Sequence, residues 1–301
     1  MKLRINPIVK KDLQVTVRSM RMSWGLFAYE AALAVAFLLA LLVIQEESGY
    51  MGSGNIYSYL VYLFPVVAAA QVCIVALYVP IITASSISGE RERQTFDIML
   101  TTCMSPFSIV FGKVVSAVIR ILFFVAASTP IMALSFVVGG LSWSNLFYYL
   151  LAIILFSVFS GSIGILASSF CRKSVAAVLL SFVMYFVIYF MTFLPVIYRG
   201  IFGRGKYGES LLPLLVNPVV FFEEFFLQMM MGESAFGMKN GTFTRSEVGL
   251  LTYTLAHGKV WMFVSAGGIL LLSFLFMALA AWKVNPMHSG SGRRRSKKKS
   301  A

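Results

Sequence analysis

The sequence predicts an all-α integral membrane protein: six transmembrane helices, an N-terminal amphipathic interfacial helix and a further short helix on the cytoplasmic side. Three observations carry this. Of the 301 residues 59% are hydrophobic and 12% are charged, about half the charge of a soluble domain. The charges fall in short clusters, leaving charge-free runs at 48–89, 121–171, 174–198 and 260–282, each long enough for a helix that crosses hydrocarbon in about 20 residues. The excess of 25 Lys and Arg over 12 Asp and Glu sits at segment ends, where membrane topology places it rather than a nucleic-acid surface. A cytosolic enzyme is excluded, and no nucleic-acid partner is expected.

A membrane domain is expected over 1–285, with spans at about 24–44, 60–82, 107–138, 146–170, 174–198 and 260–282. The charge-free run at 121–171 is too long for one helix, and Gly139-Gly140 followed by Leu-Ser-Trp-Ser-Asn divides it. No short apolar stretch with a cleavage site precedes residue 23, so the opening is not read as a signal peptide. Six spans place both termini on one side. Lys and Arg number eighteen in segments 1–23, 83–113, 171–173 and 283–301, against six in the opposite loops, so both termini are expected in the cytoplasm. Cys73, Cys103 and Cys171 are odd in number and widely spaced, which implies free thiols rather than a disulfide framework.

The segments between spans have readings of their own. In 6–23, Asn6 can cap and Pro7 fits the first turn. Val9, Leu13, Val17 and Met20 fall on one face with Trp24, opposite Lys10, Lys11, Arg18 and Arg21, the pattern of a helix lying on the inner leaflet. In the loop after span two, Ser88 is a candidate cap for a short helix over 88–100, with Glu90 and Glu92 in its first turn and Arg93 and Asp97 one turn apart. Phe96, Met99, Leu100 and Cys103 line one apolar side of it, and Ser105-Pro106 stops it. That apolar side fits rest on the chain's own spans as well as a partner. The outer segment 199–259 reads as turn, broken helix and loop. Glu223 and Glu224 within it are a possible outer gate, although the wet face of an interfacial helix accounts for them better, since adjacent positions do not point at one substrate. The tail 286–301 carries six cations among seven consecutive residues and reads as disordered chain near anionic lipid.

Catalytic chemistry is sparse. Two histidines, His257 and His288, cannot build a zinc cluster or a proton relay within the membrane. Gly112-Lys113 lacks the Gly five residues earlier and the Ser or Thr that a phosphate-binding loop needs, since Phe107 and Val114 stand there. Ser157, Gly161, Gly164 and Ser168 form a small-residue stripe suited to close helix packing. Glu30 and Arg120 are the two charges within spans, each costing about 2.5–3.5 kcal/mol at a helix centre. Snorkelling to the inner interface is the favoured account, provided the Arg120 helix begins near Lys113, and pairing between spans one and three is the alternative.

The loop SISGERERQTFDIMLTTCMSPFSIVFGK resembles the cytoplasmic segment of ABC-2 type transporter permeases, whose members read Glu-Arg-Glu-Arg-Gly-Thr, a hydrophobic Leu-Leu stretch, Ser-Pro and Gly-Lys. Here these are Glu90, Arg91, Glu92, Arg93, Thr95, Met99-Leu100, Ser105-Pro106 and Gly112-Lys113. The start NPIVKKDL and the six-span layout are similar to that family too. Gln94 stands where Gly is usual, a change expected to leave a helix undisturbed or to favour it. The resemblance implies a multi-pass permease of the plasma membrane of a bacterium, working as a dimer with a second copy or a homologous permease. It implies export, and it makes 88–100 a coupling helix seated in a separate ATP-binding subunit. The ATPase-coupling residues are then Glu90, Arg91, Glu92, Arg93, Thr95, Phe96, Asp97, Met99 and Leu100. ATP and Mg would reside in the partner, with no cofactor in this chain. A secondary transporter and a membrane-embedded enzyme are the competing classes, the first short of intramembrane acids and the second short of a catalytic constellation.

Overall fold

The computed structural model of the chain describes residues 14, 19–50, 60–95, 105–138, 143–202, 211–231 and 260–285. These residues are all-helical, and six of their helices are long and apolar enough to span a bilayer. In chain order the elements are α1 (Met20–Tyr50), α2 (Leu63–Glu92), α3 (Pro106–Ala127), α4 (Thr129–Val138), α5 (Trp143–Phe170) and α6 (Ser174–Phe202). A 3-10 turn (Leu212–Val216), α7 (Pro218–Met231) and α8 (Val260–Val284) complete the chain.

α5 is the axis of the bundle. Every residue from Gly161 to Ser169 is buried, so this half of the helix is enclosed on all sides, by α2, α3, α6 and α8. The stripe of small residues lets α2 come close: a Cβ on Gly164 would lie 2.0 Å from Thr83 Oγ1 and 3.1 Å from the backbone nitrogen of Ala84. The faces turned outward are apolar, with Val35, Leu38 and Leu42 on α1, Leu179, Val183 and Phe186 on α6, and Leu271 and Phe274 on α8 all exposed. In water such faces would aggregate, whereas lipid solvates them.

Two helix boundaries differ from the sequence reading. The short helix expected to start at Ser88 is instead the last turn of span two, which runs unbroken from Leu63 to Glu92. Ser88 is fully buried and donates to the Ala84 carbonyl, while Ser85 and Ser86 donate to the carbonyls of Ile82 and Thr83. These hydroxyls back-bond within the helix and do not cap a new one. Span three consists of α3 and α4, with Ser128 between them. α3 opens on Ser105, whose side chain accepts from the Ser108 N–H, and on Pro106 in the first turn.

Between α6 and α8 the expected helix is broken at Asn217, into the 3-10 turn and α7, and the break is specific. Asn217 ends the 3-10 turn, accepts from the Val219 N–H to start α7, and donates to Thr192 on α6 at 2.7 Å. Ser265 of α8 donates to the Leu215 carbonyl at 2.6 Å. Glu223 and Glu224 point different ways: Glu223 is exposed, whereas Glu224 is fully buried and accepts from Gln228 at 2.6 Å. The burial of Glu224 corrects the reading that both glutamates lie on a wet face. The interfacial segment 6–23 up to Arg18, apart from Gln14, and the tail 286–301 lie outside the described residues, as do Phe96, Asp97, Met99, Leu100 and Cys103.

Candidate functional site: a clamp at the end of α2

Three consecutive side chains at the end of α2 reach three different helices. Successive residues on a helix point about 100° apart, so Glu90, Arg91 and Glu92 fan outward. Glu90 Oε1 accepts from Lys113 Nζ of α3 at 2.8 Å, in an ion pair whose side chains are 22% and 8% exposed. Arg91 Nη1 donates to the carbonyls of Ser169 and Cys171 at 2.9 and 3.3 Å. Those are orphan acceptors at the end of α5, where the helix dipole is negative and a cation is favoured. Glu92 Oε2 accepts from the backbone N–H and the hydroxyl of Ser174, the first residue of α6. That is the positive end of a helix, and a carboxylate from another helix serves as its cap. The alternation of sign in Glu-Arg-Glu thus matches the alternation of what each residue meets.

The same turn is pinned from behind. Ser168 Oγ of α5 accepts from the backbone N–H groups of Ile87 and Ser88 at 3.0 and 2.9 Å. Beyond Glu92 the chain leaves the helix sharply. The Gln94 N–H bonds to the Arg91 carbonyl, the Thr95 N–H bonds to the Glu90 carbonyl, and Gln94 has φ 57°. This is a Schellman termination with a left-handed residue at the position glycine favours. The expectation that Gln94 suits a helix is therefore corrected: the position is a helix stop, and a side chain there is strained. Gln94→Gly should raise the stability of the full-length protein by about 1 kcal/mol, read as a higher unfolding temperature in detergent. An unchanged or lower temperature would show that the left-handed turn does not limit stability.

The structure brings together Glu90, Arg91, Glu92, Arg93 and Thr95 from the expected coupling residues, with Arg93 as the C-cap of α2. Of the partners, Ser169 and Ser174 have no reading in the sequence, while Lys113, Ser168 and Cys171 are read there as part of the Gly-Lys match, the small-residue stripe and the free thiols and not as partners of this turn. Cys171 and Cys73 are free thiols. Among the described residues no group of three or more His, Cys, Asp or Glu is placed to hold a metal ion.

A second polar cluster, invisible in the sequence, lies within the bundle. Gln71 donates to Tyr29 at 2.7 Å and to Ser128 at 3.1 Å, and accepts from Tyr149 at 2.9 Å. It ties α1, α2, α5 and the α3–α4 junction, and all three of these partners lie inside the protein, as hydrocarbon requires.

The intramembrane charges do not pair. The Phe124 ring lies 3.7 Å from where a Gly25 Cβ would be, so those residues share a level. Spans one and three both run outward, with Glu30 five residues beyond Gly25 and Arg120 four residues short of Phe124, about 13 Å apart along the axis. One Glu30 carboxylate oxygen and Arg120 Nε are buried without a hydrogen-bond partner. The α3 helix begins at Pro106, not near Lys113, so the condition attached to the snorkelling account is not met.

The described residues form an all-helical bundle with six helices long and apolar enough to span a membrane, and one charged turn at the end of α2 grips α3, α5 and α6. The family model described as ABC-2 family transporter protein matches residues 6–282. The chain belongs to that family, and so is the transmembrane subunit of an ABC transporter, not a catalytic one. No curated protein matches it.

Proposed function

We propose that this chain is the permease of an ATP-driven exporter in a bacterial plasma membrane, both termini cytoplasmic, moved by a separate ATP-binding subunit that holds ATP and Mg. A second copy or a homologous permease completes the pore. The observation that carries the reading is the clamp. Residues 96–104 leave α2 directly after the Schellman turn, and the turn before it grips α3, α5 and α6. A partner that shifts this segment differently in its two nucleotide states moves α2, α3, α5 and α6 together, and a difference in binding between states is what coupling requires. Phe96, Met99 and Leu100 supply apolar anchors for a partner cleft, and Asp97 supplies charge.

The test is purification of the full chain from its native membrane in mild detergent, followed by ATP hydrolysis and transport by the assembled complex. An ATPase should co-purify. Arg91→Glu and Glu92→Lys should leave it bound yet reduce substrate-stimulated hydrolysis to the basal level. A lone chain that transports on an ion gradient would sink the proposal and favour a secondary transporter.

A further inference from the structure

Three cations gather where α5, α6 and α8 reach the clamp end of the bundle. Arg172 and Lys173 lie between the last residue of α5 and the first of α6, and Lys283 is the last residue but one of α8; all three are exposed. Lys283 Nζ sits over the Phe170 ring at 5.3 Å from its centroid, so the end of α8 touches the end of α5. Arg172 is within electrostatic reach of Arg91, and Lys173 of Glu92.

The chain's own carboxylates are too few to balance this end. The segments 1–23, 83–113, 171–173 and 283–301 carry eighteen Lys and Arg against four acids, Asp12, Glu90, Glu92 and Asp97. Glu90 is engaged by Lys113, and Glu92 accepts from Ser174. Wherever Asp12 and Asp97 lie, the surplus persists, and it favours an anion from outside the chain.

The helix ends set the depth of the three cations. Each lies within three residues of the end of a helix long and apolar enough to span a bilayer. Their large neighbours Phe170 and Trp282 are 56% and 59% exposed, and tryptophan is enriched at the membrane–water boundary. Directly inward from the cations the same helices turn apolar side chains out, Val175 and Leu179 on α6 and Leu275 and Leu279 on α8. α5 lies between the two, with Phe159 against Tyr185 of α6 and Phe276 of α8 at ring-centroid distances of 6.2 and 6.5 Å. The surface is thus cationic at its end and apolar beneath. An acidic protein surface would meet the first part alone, whereas an anionic lipid meets both.

We infer that Arg172, Lys173 and Lys283 bind the headgroup of an anionic phospholipid whose acyl chains lie along α6 and α8. Such a lipid joins the loop that enters α6, next to the contact between Glu92 and Ser174, to the end of the last span. The inference is independent of how ATP is coupled.

The experiment uses the purified full-length chain in an uncharged detergent, titrated with dihexanoyl phosphatidylglycerol, dihexanoyl phosphatidylcholine and inorganic phosphate, with binding read by calorimetry. Phosphatidylglycerol should bind saturably, and phosphatidylcholine and free phosphate about tenfold or more weakly. Neutralising one cation, as in Lys173→Gln or Lys283→Gln, should weaken phosphatidylglycerol by about fivefold, and neutralising all three by about a hundredfold. Lys283→Arg should keep the affinity. Replacing the six tail cations at 293–295 and 297–299 by Gln should leave it unchanged, and a loss there as large as in the triple variant would show diffuse attraction instead of a site. Free phosphate binding as tightly as phosphatidylglycerol overturns the lipid. A triple variant that binds phosphatidylglycerol like wild type overturns the inference, and if it also fails to hold a co-purifying ATPase, the cations belong to a protein interface. If the triple variant does not fold, the two single variants decide: both binding like wild type overturns the site.

Discussion

Lys113→Met should cost the protein about 3–5 kcal/mol, because it strands the Glu90 carboxylate in the interior. The Lys113 side chain is 8% exposed and Glu90 is 22% exposed, at 2.8 Å separation. The second oxygen of Glu90 is buried with no hydrogen-bond partner, so the carboxylate depends on Lys113 for compensation. Glu90→Leu in the same background should recover most of the loss, since an apolar pair of similar volume replaces a buried ion pair at little cost. Exchange of the two charges, Glu90→Lys with Lys113→Glu, should restore both stability and substrate-stimulated ATP hydrolysis in the complex. The double-mutant cycle on unfolding in detergent is the check. An interaction energy under about 0.5 kcal/mol would mean the pair is effectively solvated, and the clamp would lose its link to α3.

The other large effect lies deeper, where α2 crosses α5. Gly164→Ala places a methyl 2.0 Å from Thr83 Oγ1, 3.0 Å from Thr83 Cβ and 3.1 Å from the Ala84 nitrogen. Thr83 cannot simply turn away, because its hydroxyl donates to the Val79 carbonyl at 2.8 Å, and the Ala84 contact is backbone. The two helices must separate, with an overpacking cost of about 1–3 kcal/mol that outweighs the gain of roughly 1 kcal/mol from alanine's better helix propensity. Gly164→Leu should abolish folded protein in the membrane. Adding Thr83→Ala to Gly164→Ala removes the closest clash and leaves the backbone one, so partial recovery is expected. Unfolding of Gly164→Ala at the wild-type temperature would show that Gly164 does not set the helix spacing.

The spans were legible because hydrocarbon imposes a length and excludes charge, and both are visible as runs in a sequence. The small-residue stripe was legible for a related reason: spacing of three and four places Gly161, Gly164 and Ser168 on one face. The end of α2 was misread. Ser88 resembles a cap in isolation, but its hydroxyl bonds back to Ala84, and the helix runs on through Gly89 to Glu92. The usual glycine at position 94 contained the missing information, since a glycine at that place signals a left-handed stop and not a tolerant helix interior. The clamp's partners were beyond reach for a different reason. Backbone carbonyls at Ser169 and Cys171 have no sequence signature, and which of them Arg91 meets is settled by how α2 and α5 cross. Glu224 and Gln71 show the same limit, as burial of a polar residue depends on neighbours the chain supplies from elsewhere.

The distances along the chain give the clamp an order of assembly. Glu90 and Lys113 are 23 residues apart, while Arg91 to Ser169 is 78 and Glu92 to Ser174 is 82. At a synthesis rate of roughly 5–20 residues per second, about 4–16 s pass between the emergence of Glu92 and that of Ser174. During that interval the ion pair between spans two and three is the one contact of the clamp that can form. The Arg91 contact waits for the end of the fourth span, and the Glu92 contact for the start of the fifth. A nascent protein stalled before residue 174 therefore lacks the finished turn, which is completed late in biogenesis.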